Sequence, residues 1–173
     1  MSNIDTLIFN FIHYPAGKWW PLDWFGVFSA KYLPYFLVIA AVYFLFKRKN
    51  RQRIYAFALM SLSVILARGI IVEIIRFFYC RPRPFSTLNF NPLVSVDGTA
   101  SFPSGHAAAF FALATAIFFL SRRLGKWFFV LSFLIIIARV FTGIHWPLDV
   151  LIGVVIGILS ALFVKKILPK AEN

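Results

Sequence analysis

Cysteine is almost absent from this sequence: Cys80 stands alone among 173 residues, which excludes an intramolecular disulfide and leaves the redox compartment open. Carboxylates are scarce too, 6 against 18 lysines and arginines, for a net charge of +12. No internal repeat or low-complexity stretch is present. The start of the chain lacks the basic n-region, short apolar run and small-residue cleavage site of a removable signal peptide, so the first helix is expected to direct insertion itself. What is abundant is apolar: 61% of residues are hydrophobic, 19% are aromatic, and the mean hydropathy is +0.81. Several stretches approach the roughly 20 apolar residues that cross a hydrocarbon core of about 30 Å. The expected fold is therefore all-α, a polytopic transmembrane bundle of five to six helices forming one domain over residues 1–173.

Residues 1–21, with Asp5, His13, Lys18 and the Trp19-Trp20 pair, read as an amphipathic segment at the membrane interface. Spans are expected at about 22–46, 54–79, 104–120, 127–143 and 148–168. Lys31 and Pro34 interrupt the start of the first, and the basic run at 47–53 ends it. The second, 26 residues over roughly 39 Å, exceeds the core and should project into the interface. Residues 80–105 hold four of the nine prolines and form the one long loop.

In a soluble chain this basic balance would suggest nucleic acid. Here the charges sort by side of the membrane. Lys47, Arg48, Lys49, Arg51, Arg53, Arg122, Arg123, Lys126, Lys165, Lys166 and Lys170 fall in segments on one side, which the positive-inside rule makes cytoplasmic. No nucleic-acid partner is expected. The N-terminus, the 80–105 loop and the 144–147 turn then face the other way, out of the cytoplasm.

That outer side carries the chemistry. Arg76, Arg83 and Arg139 can each present a planar fork of donors to an oxyanion, and three guanidiniums near a membrane are costly without an anion to join them. Pro103, Ser104, Gly105 and His106 open the third span: Ser104 suits an N-cap, the helix start offers free N–H groups, Gly105 allows an anion close to the backbone, and His106 can donate a proton. Taken alone, these residues favour an ordinary cap beside an interfacial histidine. His145 precedes Asp149 by four residues, a spacing at which the carboxylate can accept the imidazole N–H and sharpen the other nitrogen as a nucleophile. The pair could also simply staple a helix start. A zinc site built on the two histidines and Asp149 is disfavoured by three arginines, and a serine hydrolase on Ser104 would leave those arginines idle and lacks a G-x-S-x-G elbow.

Taken together, R-x6-R-P (Arg76, Arg83, Pro84), P-S-G-H (Pro103 to His106) and R-x5-H-x3-D (Arg139, His145, Asp149) resemble the three-part signature of the type 2 phosphatidic acid phosphatase superfamily. Arg76 stands where that family usually has Lys, and Ala138 where it usually has Ser. The resemblance implies a membrane lipid phosphatase that needs no metal or other cofactor. In it His145 attacks phosphorus to form a phosphohistidine, Asp149 orients His145, and His106 protonates the leaving group and then activates water. Arg76, Arg83, Ser104, Gly105, His106 and Arg139 would hold the phosphate oxygens. Within the superfamily the short chain is most similar to bacterial undecaprenyl-diphosphatases; phosphatidylglycerophosphate and lipid A phosphatases share the motifs. The competing class is a non-catalytic transporter or lipid-phosphate-binding protein, for which an oriented histidine pair has little use.

Further positions have readings of their own. Glu73 can support Arg76 or form a buried pair with Arg68, and Arg81, beside Pro82 in the loop, is read as solvated or as reaching a second phosphate. Lys31 is expected to snorkel, Asp97-Gly98 to turn, and the 22 phenylalanines to face lipid and pack. Ala107, Ala108, Ala109 and the Gly153-x3-Gly157 pair permit close helix contact, within the bundle or in a homo-oligomer.

Overall fold

The computed structural model describes residues 3–96, 98 and 100–169; Asp97 of the expected turn and Lys170 lie outside the described residues. The described chain contains seven helices and no strand: α1 (Asn3–His13), α2 (Trp20–Phe46), α3 (Asn50–Phe78), α4 (Pro84–Leu88), α5 (Gly105–Leu120), α6 (Arg122–Phe141) and α7 (Pro147–Ile167). Helices α2, α3, α6 and α7 are each long and apolar enough to cross a membrane, and α5 is a shorter apolar helix. The protein is a multi-pass membrane bundle.

Lys31 and Pro34 do not break α2. Residues Phe28–Tyr32 instead widen into a π-turn just ahead of Pro34, which accommodates the missing proline N–H inside a continuous helix. A second π-segment, Ile65–Ile71, lies within α3. The basic run is also less of a break than expected, since Asn50 to Arg53 already form the first turn of α3.

Helix α5 is the hub. Its Ala107, Ala108, Ala112, Ala114 and Ala116 have no exposed surface, and α7 lies against them closely enough to require glycine. A Cβ at Gly153 would stand 2.6 Å from the Ser104 carbonyl oxygen and 2.7 Å from Ala107 Cβ, and one at Gly157 would stand 2.8 Å from the Ala112 nitrogen. The small-residue stripe therefore serves packing inside the bundle. The Ser104 N–H donates to the Asp149 carbonyl at 2.9 Å, so α5 begins about a turn deeper than α7. At 16 residues α5 is about 24 Å long, and the recess above its first turn is where the long loop folds in.

Outward faces are apolar: Phe11, Phe77 and Phe78 are each more than 80% exposed, as a bundle bathed in hydrocarbon allows. Helix α1 follows this rule in an inverted sense. Ile4, Leu7 and Phe11 point outward, whereas Asp5 and Phe9 are buried, and His13 Nδ1 lies 2.7 Å from the Phe141 carbonyl oxygen. Asp5 and His13 thus turn toward protein.

The basic segments collect at one end of the bundle. Arg48 donates to the Leu120 carbonyl at 3.1 Å, and Lys165 Nζ sits 3.6 Å from the centre of the Phe119 ring. The motif residues collect at the other.

Candidate active site

Four backbone features build the site. The end of α3 brings Arg76, whose Nη2 donates to the Pro103 carbonyl at 3.0 Å. The loop after it brings Arg83, whose Nε donates to Gly98 O at 3.0 Å and whose Nη1 donates to Ile144 O at 2.9 Å; the residue before His145 is thereby tied to the long loop. The last turn of α6 brings Arg139, whose Nη1 donates to Ala30 O at 3.3 Å, a carbonyl within the π-turn of α2, where the widened ladder leaves such groups available. The start of α5 brings Gly105 and His106.

These elements enclose a cavity of about 430 Å³ lined by Arg68, Arg76, Arg83, Arg139, Lys31, His106, His145 and Gly105, with Ala30, Tyr35 and residues 94–96 completing the wall. Among the described residues that lining contains no carboxylate. Two of its guanidiniums keep a nitrogen that is buried without a partner, Arg76 Nε and Arg139 Nε. An unpaired buried donor on a cation is costly. Arg83 is buried, and burial followed by the charge of Arg76 lowers its pKa, with Asp149 opposing. Such a group gains from an arriving anion.

His145 is 2% exposed and lines the cavity, with Asp149, fully buried, behind it. Burial is the largest influence on the imidazole. It lowers the pKa to about 4 against the opposing pull of the Asp149 carboxylate, and the charges of Arg139 and Arg83 lower it further; His145 is neutral near pH 7. Its Nδ1 stands 3.6 Å from Asp149 Oδ2 and 3.4 Å from Ser101 Oγ. The Ser101 hydroxyl donates to Asp149 Oδ2, so toward His145 it can act only as an acceptor. That places the proton on Nδ1 and leaves the Nε2 lone pair for chemistry. Asp149 is held further by the Trp146 N–H, donating to Oδ2 at 2.9 Å, and by Arg81 Nη1, donating to Oδ1 at 2.7 Å.

Several sequence expectations change here. Ser104 is fully buried and does not line the cavity; its hydroxyl accepts the Ala107 N–H at 3.4 Å as the cap of α5, so it shapes the helix start instead of presenting an oxygen to phosphate. Gly105 does line the cavity, but the space a side chain would take is filled by Arg68, whose Cδ would lie 2.6 Å from a Cβ there. Glycine at 105 thus admits a fourth guanidinium. Arg68 and Glu73 form an ion pair within α3 that is 40% and 50% exposed, not a buried seal between helices. The π-segment explains it, since a turn closing at i+5 brings residues five apart onto one face. Glu73 also stands 3.7 Å from Arg76 Nη1. Lys31, expected to snorkel, borders the cavity. Arg81 is not solvated: it is 7% exposed and lies between Asp5 and Asp149. Burial tends to lower its pKa, but the Asp5 hydrogen bond and the charges of Asp149 and Asp5 outweigh this and raise it. Ser101 and Asp5 were not anticipated. Ser101 sits in the loop three residues before the P-S-G-H cap, and no local pattern marks Asp5.

A helical bundle that gathers guanidiniums and a neutral, oriented histidine in one recess at its membrane end belongs among the integral-membrane phosphatases. Residues 54–172 match the PAP2 superfamily, and the chain belongs to that superfamily; it is a hydrolase of lipid phosphates. Among similar proteins, the bacitracin transport permease protein BcrC of Bacillus licheniformis is 33% identical over 97% of this chain and 81% of its own length. The undecaprenyl-diphosphatase BcrC of Bacillus subtilis strain 168 is 27% identical over 88% and 78%. The crystal structure of Aquifex aeolicus LpxE superposes with a TM-score of 0.77 at 28% identity, covering 95% of this chain and 96% of that one.

Proposed function

We propose that this phosphatase hydrolyses undecaprenyl diphosphate to the monophosphate on the outer face of a bacterial plasma membrane, through a phosphohistidine at His145. The observation that carries the reading is the cavity itself, where four arginines, two of them with an unpaired buried nitrogen, share one lining with a buried imidazole. The similarity to an undecaprenyl-diphosphatase supports the choice of lipid. The clustering of basic segments at the opposite end supports the orientation.

In this mechanism the terminal phosphoryl group sits among Arg68, Arg76, Arg83 and Arg139, which neutralise its equatorial oxygens as charge spreads over them. The His145 Nε2 lone pair attacks phosphorus, the bond to the bridging oxygen breaks, and that oxygen takes the electron pair and a proton from His106. The lipid monophosphate departs. Water, giving its proton to His106, then attacks the phosphohistidine; the P–N bond breaks, and inorganic phosphate and neutral His145 are regenerated. Asp149 steadies the imidazolium-like charge on His145 in both steps. The arriving polyanion offsets the arginine charges, which is what lets His106 carry a proton beside them.

The test is phosphate release from undecaprenyl diphosphate by purified protein in EDTA, with phosphatidylglycerophosphate and lipid A as competing substrates. His145→Ala is expected to abolish release while lipid binding persists. Continued turnover by that variant refutes the mechanism, and preference for another lipid refutes the substrate.

A further inference from the structure

The ion cluster behind the catalytic pair involves a residue outside every motif. Asp5, on α1, is 4% exposed, Arg81 7% and Asp149 0%. The Arg81 guanidinium is shared between the two carboxylates, Nη2 donating to Asp5 Oδ2 and Nη1 to Asp149 Oδ1. The second Asp5 oxygen accepts the Leu148 N–H at 2.9 Å, at the first turn of α7. Other contacts of α1 grip the same stretch of chain. Phe9 lies 5.1 Å from the Trp146 ring, and His13 Nδ1 meets the Phe141 carbonyl; Trp146 in turn donates Nε1–H to Pro82 O at 3.0 Å. Residues 141–149, which carry His145, are therefore held from outside by α1 and through Arg81 by the long loop. None of Asp5, Arg81 and Asp149 lines the cavity.

A buried carboxylate–guanidinium–carboxylate triplet is poor value for stability alone, because desolvating three charges costs about what their attraction returns. Its geometry has a clear use in orientation. We infer that Asp5 is a positioning residue for hydrolysis: through Arg81 and the start of α7 it fixes the Asp149 carboxylate, and with it the His145 ring. The inference rests on the reading of His145 as nucleophile. It gives the N-terminal helix a part in the reaction, and it withdraws Arg81 from contact with a second phosphate.

The charge arithmetic supplies a test that mere structural damage would not imitate. Behind His145 the triplet carries a net charge of one minus. The other charged or titratable groups that share the cavity with His145 among the described residues are His106 from α5, Arg139 from α6, Arg68 and Arg76 from α3, Lys31 from α2 and Arg83 from the loop, and the variants leave them in place. Asp5→Asn makes the triplet neutral, so the acid limb of kcat/KM should move to lower pH. Arg81→Gln makes it doubly negative, so the limb should move to higher pH. The double variant restores one minus and should return the limb to its wild-type position. Each single variant is expected to lower kcat by about tenfold or more, as loss of a supporting partner behind a reacting ligand does, with KM for undecaprenyl diphosphate changed by less than about threefold because the cavity wall is untouched. Activity is normalised to monodisperse protein in detergent. If a single variant does not fold, the double variant, which buries no extra charge, still reads the result against the other one. Opposite displacements that cancel in the double variant support the inference. A limb that stays in place in the single variants, moves the same way in both, or fails to return in the double variant overturns it. Failure of the underlying reading is distinct, because it appears as turnover by His145→Ala.

Discussion

Ser101→Ala isolates one hydroxyl. Ser101 is fully buried, donates to Asp149 Oδ2 and lies 3.4 Å from His145 Nδ1. Its removal leaves Asp149 with the Trp146 N–H and Arg81, and leaves the imidazole Nδ1–H facing Asp149 at 3.6 Å, beyond good hydrogen-bond reach. A hydrogen bond involving a charged group contributes about 1.5–3 kcal/mol. If that orientation is needed in the transition state, the loss corresponds to roughly a 10- to 150-fold fall in kcat. Ser101 does not line the cavity, so KM should stay within about twofold. The assay is phosphate release under saturating and limiting undecaprenyl diphosphate, with nitrogen NMR of labelled histidine reading the tautomer. The chain has only three histidines, so the His145 signal is assignable by substitution. Wild-type protein should show Nδ1–H, and the variant a mixture. A kcat within about twofold of wild type would refute the reasoning, as would a wild-type enzyme carrying the proton on Nε2.

Gly105→Ala places a methyl group 2.6 Å from Arg68 Cδ and 3.0 Å from its Cζ; displacing that guanidinium should weaken inhibition by orthovanadate about tenfold, one charge-assisted hydrogen bond, and unchanged inhibition would remove Arg68 from anion binding. The proposed attack needs neutral His145, whose pKa burial lowers to about 4, so kcat/KM should persist through pH 6.5 and fall only toward pH 4; a limb at the ordinary histidine value would contradict the buried environment. The same shift has a stability sign: above about pH 6.5 both states are neutral, below it the unfolded chain binds the proton first, and on the order of 3 kcal/mol is lost by about pH 4, a loss that His145→Gln should lack in thermal unfolding across that range. Arg139→Gln removes a buried cation with an unpaired Nε, and should raise the melting temperature of the ligand-free protein while weakening vanadate binding at least tenfold; a lower melting temperature would show that Arg139 stabilises the fold without an anion.

Hydropathy and motif spacing made much of this legible, because both depend on short-range order. Apolar runs of membrane length announced the helices, and Arg76, Arg83, His106, Arg139 and His145 lie at or beyond the ends of those runs, where their polarity had no local explanation. Long-range pairing was silent. Asp5 meets Arg81 across 76 positions and Leu148 across 143, and nothing near residue 5 separates it from an interfacial acid. The π-turns at Phe28–Tyr32 and Ile65–Ile71 have no sequence sign that α-helical periodicity would register, yet one aims the Ala30 carbonyl and the other pairs Arg68 with Glu73. Arg81 looked solvated because it opens the proline-containing loop just ahead of Pro82; its burial depends on α1 folding back over the loop. Ser104 and Gly105 were correctly placed at a helix start, but what fills the space beside them was a matter of packing.

The central claim is that phosphorus is attacked twice, first by His145 and then by water. Stereochemistry at phosphorus tests this without requiring the intermediate to accumulate. With a terminal phosphorothioate of undecaprenyl diphosphate made chiral by oxygen isotopes, two in-line displacements give net retention in the released thiophosphate. Retention is the result this account predicts; inversion would mean that water attacks directly and that His145 never carries the phosphoryl group.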